Sequence, residues 1–122
     1  MAYKFEKLEV WELSLQYIDM IYDVVKGWPR NEDFNLRAQA TRAATSIALN
    51  IAEGSTGQTD AEQSRFMGMA IRSILEPVAC LKLMVRRDYV TQHYFQSAYE
   101  FSRNLFTKLQ AFRQYLNRKK RK

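Results

Sequence analysis

Apolar residues recur at steps of three and four along most of the chain, which is the spacing of one face of an α-helix. The first such segment runs from Val10 to Trp28 and repeats at Val10, Leu13, Tyr17, Ile21, Val24 and Trp28. A second apolar row lies beside it, at Trp11, Ile18, Tyr22 and Val25. The segment therefore predicts a helix with a wider apolar surface than one core requires.

Three more helices follow from the same spacing. The second runs from about Leu36 to Glu53 and is rich in alanine, which lets a neighbouring helix approach closely. The third extends to about Arg87 and contains Pro77, where we expect a kink because proline removes one backbone hydrogen bond. The fourth follows Thr91, a candidate cap, and repeats at Phe95, Ala98, Ser102, Leu105, Leu109, Phe112 and Leu116.

The start of the third helix carries a capping signal. Thr59 is followed three positions later by Glu62, which is the pattern of a capping box. We expect the Thr59 hydroxyl to accept a hydrogen bond from the Glu62 backbone N–H, and the Glu62 carboxylate to accept one from the Thr59 backbone N–H.

Four helices joined by short turns predict an all-α fold, an antiparallel up-and-down four-helix bundle. The length of 122 residues and the low content of breakers, 4 glycines and 2 prolines, suit one such domain. We assign the bundle to residues 1–117 and a basic C-terminal tail to residues 118–122. The single cysteine, the lack of an apolar signal segment and the lack of a long apolar run predict a cytoplasmic protein without a membrane partner.

Charge is unevenly placed along the chain. The formal net charge is +6, and the last five residues, Arg118, Lys119, Lys120, Arg121 and Lys122, are all basic. Residues 1–33 hold four basic and seven acidic residues, a net charge of −3, whereas residues 34–122 carry +9. This asymmetry indicates either an acidic face that meets a basic one between subunits, or a basic end that attracts phosphate. The tail itself is either a solvated end or a polyanion contact.

The aromatic residues exceed what one small bundle buries. Five of them lie off the apolar face of the fourth helix: Tyr94, Tyr99, Phe101, Phe106 and Tyr115. They are either amphipathic side chains on the surface of a monomer or part of a self-association interface. We favour a homo-oligomer.

The sequence contains few candidates for catalytic chemistry. A di-iron bundle needs Glu-x-x-His pairs, and the only histidine, His93, has Val90 three positions before it. Phosphate-binding, dinucleotide-binding and nucleophile-elbow motifs do not occur. We predict that the protein is not an enzyme and needs no cofactor or metal.

One polar constellation lies on the second helix. Arg42, Ser46, Asn50 and Glu53 are spaced to share a face of that helix, and Glu76 of the third helix is a plausible partner for Arg42. The residues form either a solvated stripe or a buried or interfacial hydrogen-bond network that aligns helices or subunits.

The same residues carry a resemblance to a known family. The run from Arg42 to Ile47, followed by Asn50-Ile51-Ala52-Glu53-Gly54, resembles the signature of the four-helix-bundle family called ribosomal S23 or 23S rRNA intervening-sequence protein. The resemblance covers residues 5–90. It includes the opening from Phe5 to Trp11 and, in the third helix, Glu62, Arg65, Phe66, Ala70, Ser73 and Glu76.

The resemblance implies a homopentamer with a central channel. Related accessory variability proteins of diversity-generating retroelements bind a reverse transcriptase and its template RNA. We therefore expect a non-catalytic RNA-binding accessory or scaffold, with a reverse transcriptase as a further partner; the alternative is a protein-binding scaffold without a nucleic-acid role. The expected nucleic-acid contacts are Lys108, Arg113, Arg118, Lys119, Lys120, Arg121 and Lys122.

Overall fold

The computed structural model describes residues 2–32, 35–56 and 59–120, and within these ranges it is helical without strands. The four long helices are α1 (Glu9–Val25), α2 (Leu36–Gly54), α3 (Asp60–Arg86) and α4 (Gln92–Lys120). Two short 3-10 turns, Lys4–Lys7 and Arg30–Glu32, precede α1 and α2. Each helix packs against its neighbours in the cyclic order α1, α2, α3, α4, so α1 and α3 occupy opposite corners. The predicted all-α four-helix fold is confirmed.

Contacts between side chains show which residues of different helices lie at the same height along the bundle axis; we call such residues level with each other. The Tyr17 ring of α1 stacks on the Phe101 ring of α4, with centroids 6.2 Å apart. Lys82 Nζ of α3 lies 5.5 Å from the ring centroid of Tyr99, one half-turn earlier on α4. Because α4 runs opposite to both helices, Tyr17 is level with Cys80, and these two groups interact electrostatically. Residues of α1 are thus level with the α3 residues numbered 63 higher.

The core consists of the apolar faces that the spacing predicts. From α1 it takes Val10, Tyr17, Ile21 and Val24, and every predicted position of α4 except the half-buried Phe112 is buried. Helix α1 ends at Val25, earlier than expected, although Trp28 is still buried in the core. Pro29 disfavours helical geometry at Trp28, the residue before it, so the helix ends ahead of Trp28. Among the residues that the structure describes, none of the helices has the length and apolar composition of a membrane-spanning segment.

The N-terminal caps of α3 and α4 are those expected. Thr59 Oγ1 accepts from the Glu62 backbone N–H at 3.0 Å, and Thr91 Oγ1 accepts from the backbone N–H of Tyr94 at 3.2 Å. The reciprocal half of the capping box is wrong. Instead, Glu62 Oε1 accepts from Arg65 Nε at 3.2 Å and from Arg65 Nη2 at 2.6 Å, which are charge-assisted hydrogen bonds.

Helix α3 is one helix through Pro77, whose side chain is buried, and the expected kink stays a prediction. The helix ends at Arg86 through a signal that the sequence analysis missed. Asp88 adopts a left-handed conformation with φ of 61°, and the backbone N–H of Tyr89 donates to the carbonyl of Met84 at 2.9 Å. Aspartate is one of the few residues that tolerate this conformation, so it replaces the glycine that commonly ends a helix.

An arginine of α2 joins the end of α1 to α2. The guanidinium of Arg37 donates to the backbone carbonyl oxygens of Val25 and Trp28. The last carbonyls of a helix have no partner within it, and a charged donor satisfies them well. The contact therefore secures the connection between the first two helices.

Candidate nucleic-acid interface

The basic C-terminal end lies on a part of α4 that extends past the start of α1. Lys108 Nζ is 3.5 Å from Glu9 Oε1, so Lys108 is level with the first residue of α1. From there α4 continues to Lys120, which at the helical rise is about 18 Å. The helix passes through the boundary predicted at residues 117 and 118, so the start of the predicted tail is helical. Arg121, Lys122 and the side chain of Lys120 lie outside the described residues.

The last described turn of α4 combines exposed cations with an exposed ring. Lys119 Nζ lies 5.6 Å from the ring centroid of Tyr115 and 3.6 Å from Asp60 Oδ2. Tyr115 is 49% exposed. Arg118 is exposed too, and it forms no ion pair with a described residue. An exposed ion pair such as Lys119–Asp60 contributes little to stability, so Lys119 exchanges its partner easily. This turn presents two cations and an aromatic ring to solvent.

The other two predicted contact residues have partners within the bundle. The Arg113 guanidinium lies over Gly68 of α3, and Arg113 Nε donates to Ser64 Oγ at 3.4 Å. Ser64 Oγ in turn donates to Asn117 Oδ1 at 2.7 Å. Arg113 therefore joins α3 to α4, and Lys108 pairs with α1. The sequence signal for the Arg113 contact was the lone glycine inside a helical pattern, which commonly marks a close approach.

A polar contact joins α2 to α3 at the middle of the bundle. Ser46 Oγ lies 3.1 Å from Ser73 Oγ, and either hydroxyl can donate. Asn50 Nδ2 donates to the Ser46 carbonyl oxygen at 2.9 Å and to Ser46 Oγ at 3.2 Å. The structure thus brings Ser46 and Asn50 of the predicted constellation together. It adds Ser73, which the sequence analysis noted only within the family resemblance.

The charged members of that constellation lie on the outer surface. Arg42, Glu53 and Glu76 are exposed, and the ion pairs of the described residues do not include Arg42 with Glu76. Arg42 and Glu53 line, together with Ser46 and Asn50, a groove of about 520 Å³ that Tyr22 of α1 also borders. Within one chain the three charged residues accordingly form a solvated edge beside the serine–asparagine contact.

Groups with reactive chemistry are sparse among the residues that the structure describes. Among residues 2–32, 35–56 and 59–120, no three His, Cys, Asp or Glu side chains are grouped as a metal site requires. Burial, with a smaller contribution from Glu76, raises the pKa of the Cys80 thiol. A buried, protonated thiol is a poor nucleophile.

Comparison with known proteins finds a matching family model and a similar crystal structure. The model of a family described as 23S rRNA-intervening sequence protein matches residues 6–111. A crystal structure of a protein of unknown function from the S23 ribosomal protein family of Bacteroides thetaiotaomicron is similar, with a TM-score of 0.78. It is 24% identical, and the match covers 86% of this chain and 95% of that one, which shows a shared fold. The comparison with curated proteins finds no match. Residues 112–122, and with them most of the basic end, lie beyond the family match.

Proposed function

The chain belongs to the 23S rRNA-intervening sequence protein family, and from this premise we propose that it is a non-catalytic, homopentameric scaffold that binds RNA through the end of α4. The observation that carries the proposal is the exposed last turn of α4, where Arg118 and Lys119 lie beside Tyr115. This turn extends beyond α1, so a nucleic-acid backbone can approach it without meeting the acidic outer surface of that helix.

Assembly strengthens the electrostatic part of the proposal. Five copies, each with five terminal basic residues, bring about 25 positive charges together. Neutralising phosphates with such residues releases counterions, and binding then falls steeply as salt rises. Stacking of an unpaired base on an exposed ring such as Tyr115 adds affinity with little sequence preference.

The contribution of the basic end can be measured from the salt dependence of RNA binding. We expect the Arg118→Gln/Lys119→Gln variant to bind single-stranded RNA about tenfold more weakly and to lower the slope of log affinity against log salt by about 2 for each bound copy. The matched control is Lys26→Gln/Arg30→Gln, which removes the same charge from exposed residues at the opposite end of the bundle. Equal slopes for the two variants would exclude the last turn of α4 from RNA binding.

A protein-binding scaffold is the second candidate, and exposed apolar side chains favour it. Leu49, Leu75 and Leu83 are each about half exposed or more. We expect RNA to copurify with the tagged protein from its own cell and nuclease to release the bound proteins. Recovery of a reverse transcriptase with its template RNA would support the retroelement accessory role. Partners that nuclease does not release, with no RNA recovered, would contradict the RNA proposal and favour the protein scaffold.

A further inference from the structure

The outward side of α3 has an apolar ridge among basic residues. Leu75, Ala79 and Leu83 are four residues apart and share one face; Leu75 is 61% exposed and Leu83 is 49% exposed. Beside Leu83 a groove of about 670 Å³ opens between α3 and α4, with Phe95 in its wall. We call this surface the α3 face, and it consists of Arg72, Leu75, Ala79, Lys82, Leu83 and Arg86.

The α3 face carries net positive charge. Arg72, Lys82 and Arg86 are exposed, and none of them is in an ion pair with a described residue. The acidic residue on its edge is the exposed Glu76. A surface that complements an exposed apolar ridge with a basic border is itself apolar and carries acidic residues.

The opposite corner of the same bundle has that composition. We call this surface the α1 face, and it consists of Glu12, Leu15, Asp19, Tyr22 and Asp23. Tyr22 is 48% exposed, Leu15 is half-buried one heptad earlier, and the three carboxylates are exposed. Asp23 makes a solvent-exposed pair with Lys26 at 3.3 Å, while Glu12 and Asp19 are in no ion pair with the described residues.

The two faces match in level as well as in charge. Because α1 residues are level with α3 residues numbered 63 higher, Asp19 is level with Lys82 and Asp23 is level with Arg86. Asp19 and Asp23 are one helical turn apart, and so are Lys82 and Arg86, so the spacing of the carboxylates matches the spacing of the cations. Tyr22 is level with Val85, which lines the groove.

We infer that the α1 face of one copy docks on the α3 face of a second copy of this chain. Copies related by rotation about an axis parallel to the helices keep their levels, so Asp19 then faces Lys82 and Asp23 faces Arg86. Tyr22 enters the groove beside Leu83. The inference rests on the oligomer in the proposed function and names the surfaces that build it. Each copy uses both faces, so the contact is head-to-tail; it closes into a ring where the rotation between successive copies closes, and it continues as an open array where it does not.

Charge reversal tests this docking without disturbing the core. We expect Asp19→Lys and Lys82→Glu, each alone, to shift the mass measured by light scattering toward the 14.4 kDa monomer at concentrations where the parent is assembled. The chain that carries both reversals has complementary faces again and is expected to regain the parent mass. Lys7→Glu is the control for Lys82→Glu, since it makes the same charge change on an exposed residue outside both faces. Circular dichroism checks that every variant keeps its helical content.

The outcomes separate this inference from the proposed function. Single reversals that keep the parent mass would overturn the assignment of the two faces and leave the oligomer standing. Single reversals that dissociate, with a double variant that stays dissociated, would overturn the Asp19–Lys82 pairing. A monomeric parent would overturn both the docking and the oligomer, whereas RNA binding is measured separately through the Arg118→Gln/Lys119→Gln variant.

Discussion

Replacing Gly54 with alanine is expected to lower the free energy of unfolding by about 3 kcal/mol. A Cβ at this position would lie 2.5 Å from Phe66 Cβ and 3.2 Å from Met67 Cε. The Cβ of Phe66 is bonded directly to the backbone, so only a shift of α2 away from α3 relieves the overlap. The last turn of α2 then loses its close contact with α3.

Gly68→Ala is the matched control, because its neighbour is able to move. A Cβ at Gly68 would lie 2.9 Å from Arg113 Cζ, at the far end of a flexible side chain. Alanine in a helix interior is favoured over glycine by about 1 kcal/mol, so we expect this variant to be as stable as the parent or more stable. Urea unfolding followed by circular dichroism, at one fixed protein concentration, measures both changes. Equal losses of stability would contradict a special role for Gly54.

Alkaline pH is expected to destabilise the protein through the buried Tyr17. Its side chain is fully buried, and its hydroxyl has no hydrogen-bond partner among the described residues. Burial, aided by the neighbouring Cys80, raises the pKa of Tyr17 well above its ordinary value of 10.0. In the unfolded chain this phenol ionises near pH 10, whereas in the folded protein it stays neutral. Stability is therefore fully present below pH 10 and falls by about 1.4 kcal/mol for each pH unit above it.

Tyr17→Phe removes both the ionisation and the unpaired hydroxyl. We expect the variant to be about 1 kcal/mol more stable at pH 7, because a buried polar group without a partner costs free energy. The difference should widen above pH 10, where only the parent loses the Tyr17 contribution. Urea midpoints at pH 7, 9, 10.5 and 11 measure the effect. The pKa of Cys80 is raised too, so the comparison is repeated in a Cys80→Ala background. Parallel curves for parent and variant above pH 10 would contradict the account.

The basic end shows what the positions of charged residues in the sequence predict and what they do not. The run of basic residues was evident from the sequence, and the structure adds that Arg118 and Lys119 are on a continuous helix beside Tyr115. Arg113 belonged to the same basic pattern, yet its guanidinium lies over Gly68 and reaches Ser64. Residues 45 and 49 positions apart meet there, which no local pattern of charge reveals.

The sequence by itself determined where the helices lie and which side of each is buried, because helical periodicity and N-terminal caps depend on neighbours within one or two turns. Thr59, Thr91 and the apolar face of α4 illustrate this. Only the tertiary structure decided which polar groups of different helices meet, as when Ser46 met Ser73 and Arg113 met Ser64. Such partners depend on the levels at which helices pack. Those levels follow from close contacts such as Gly54 against Phe66.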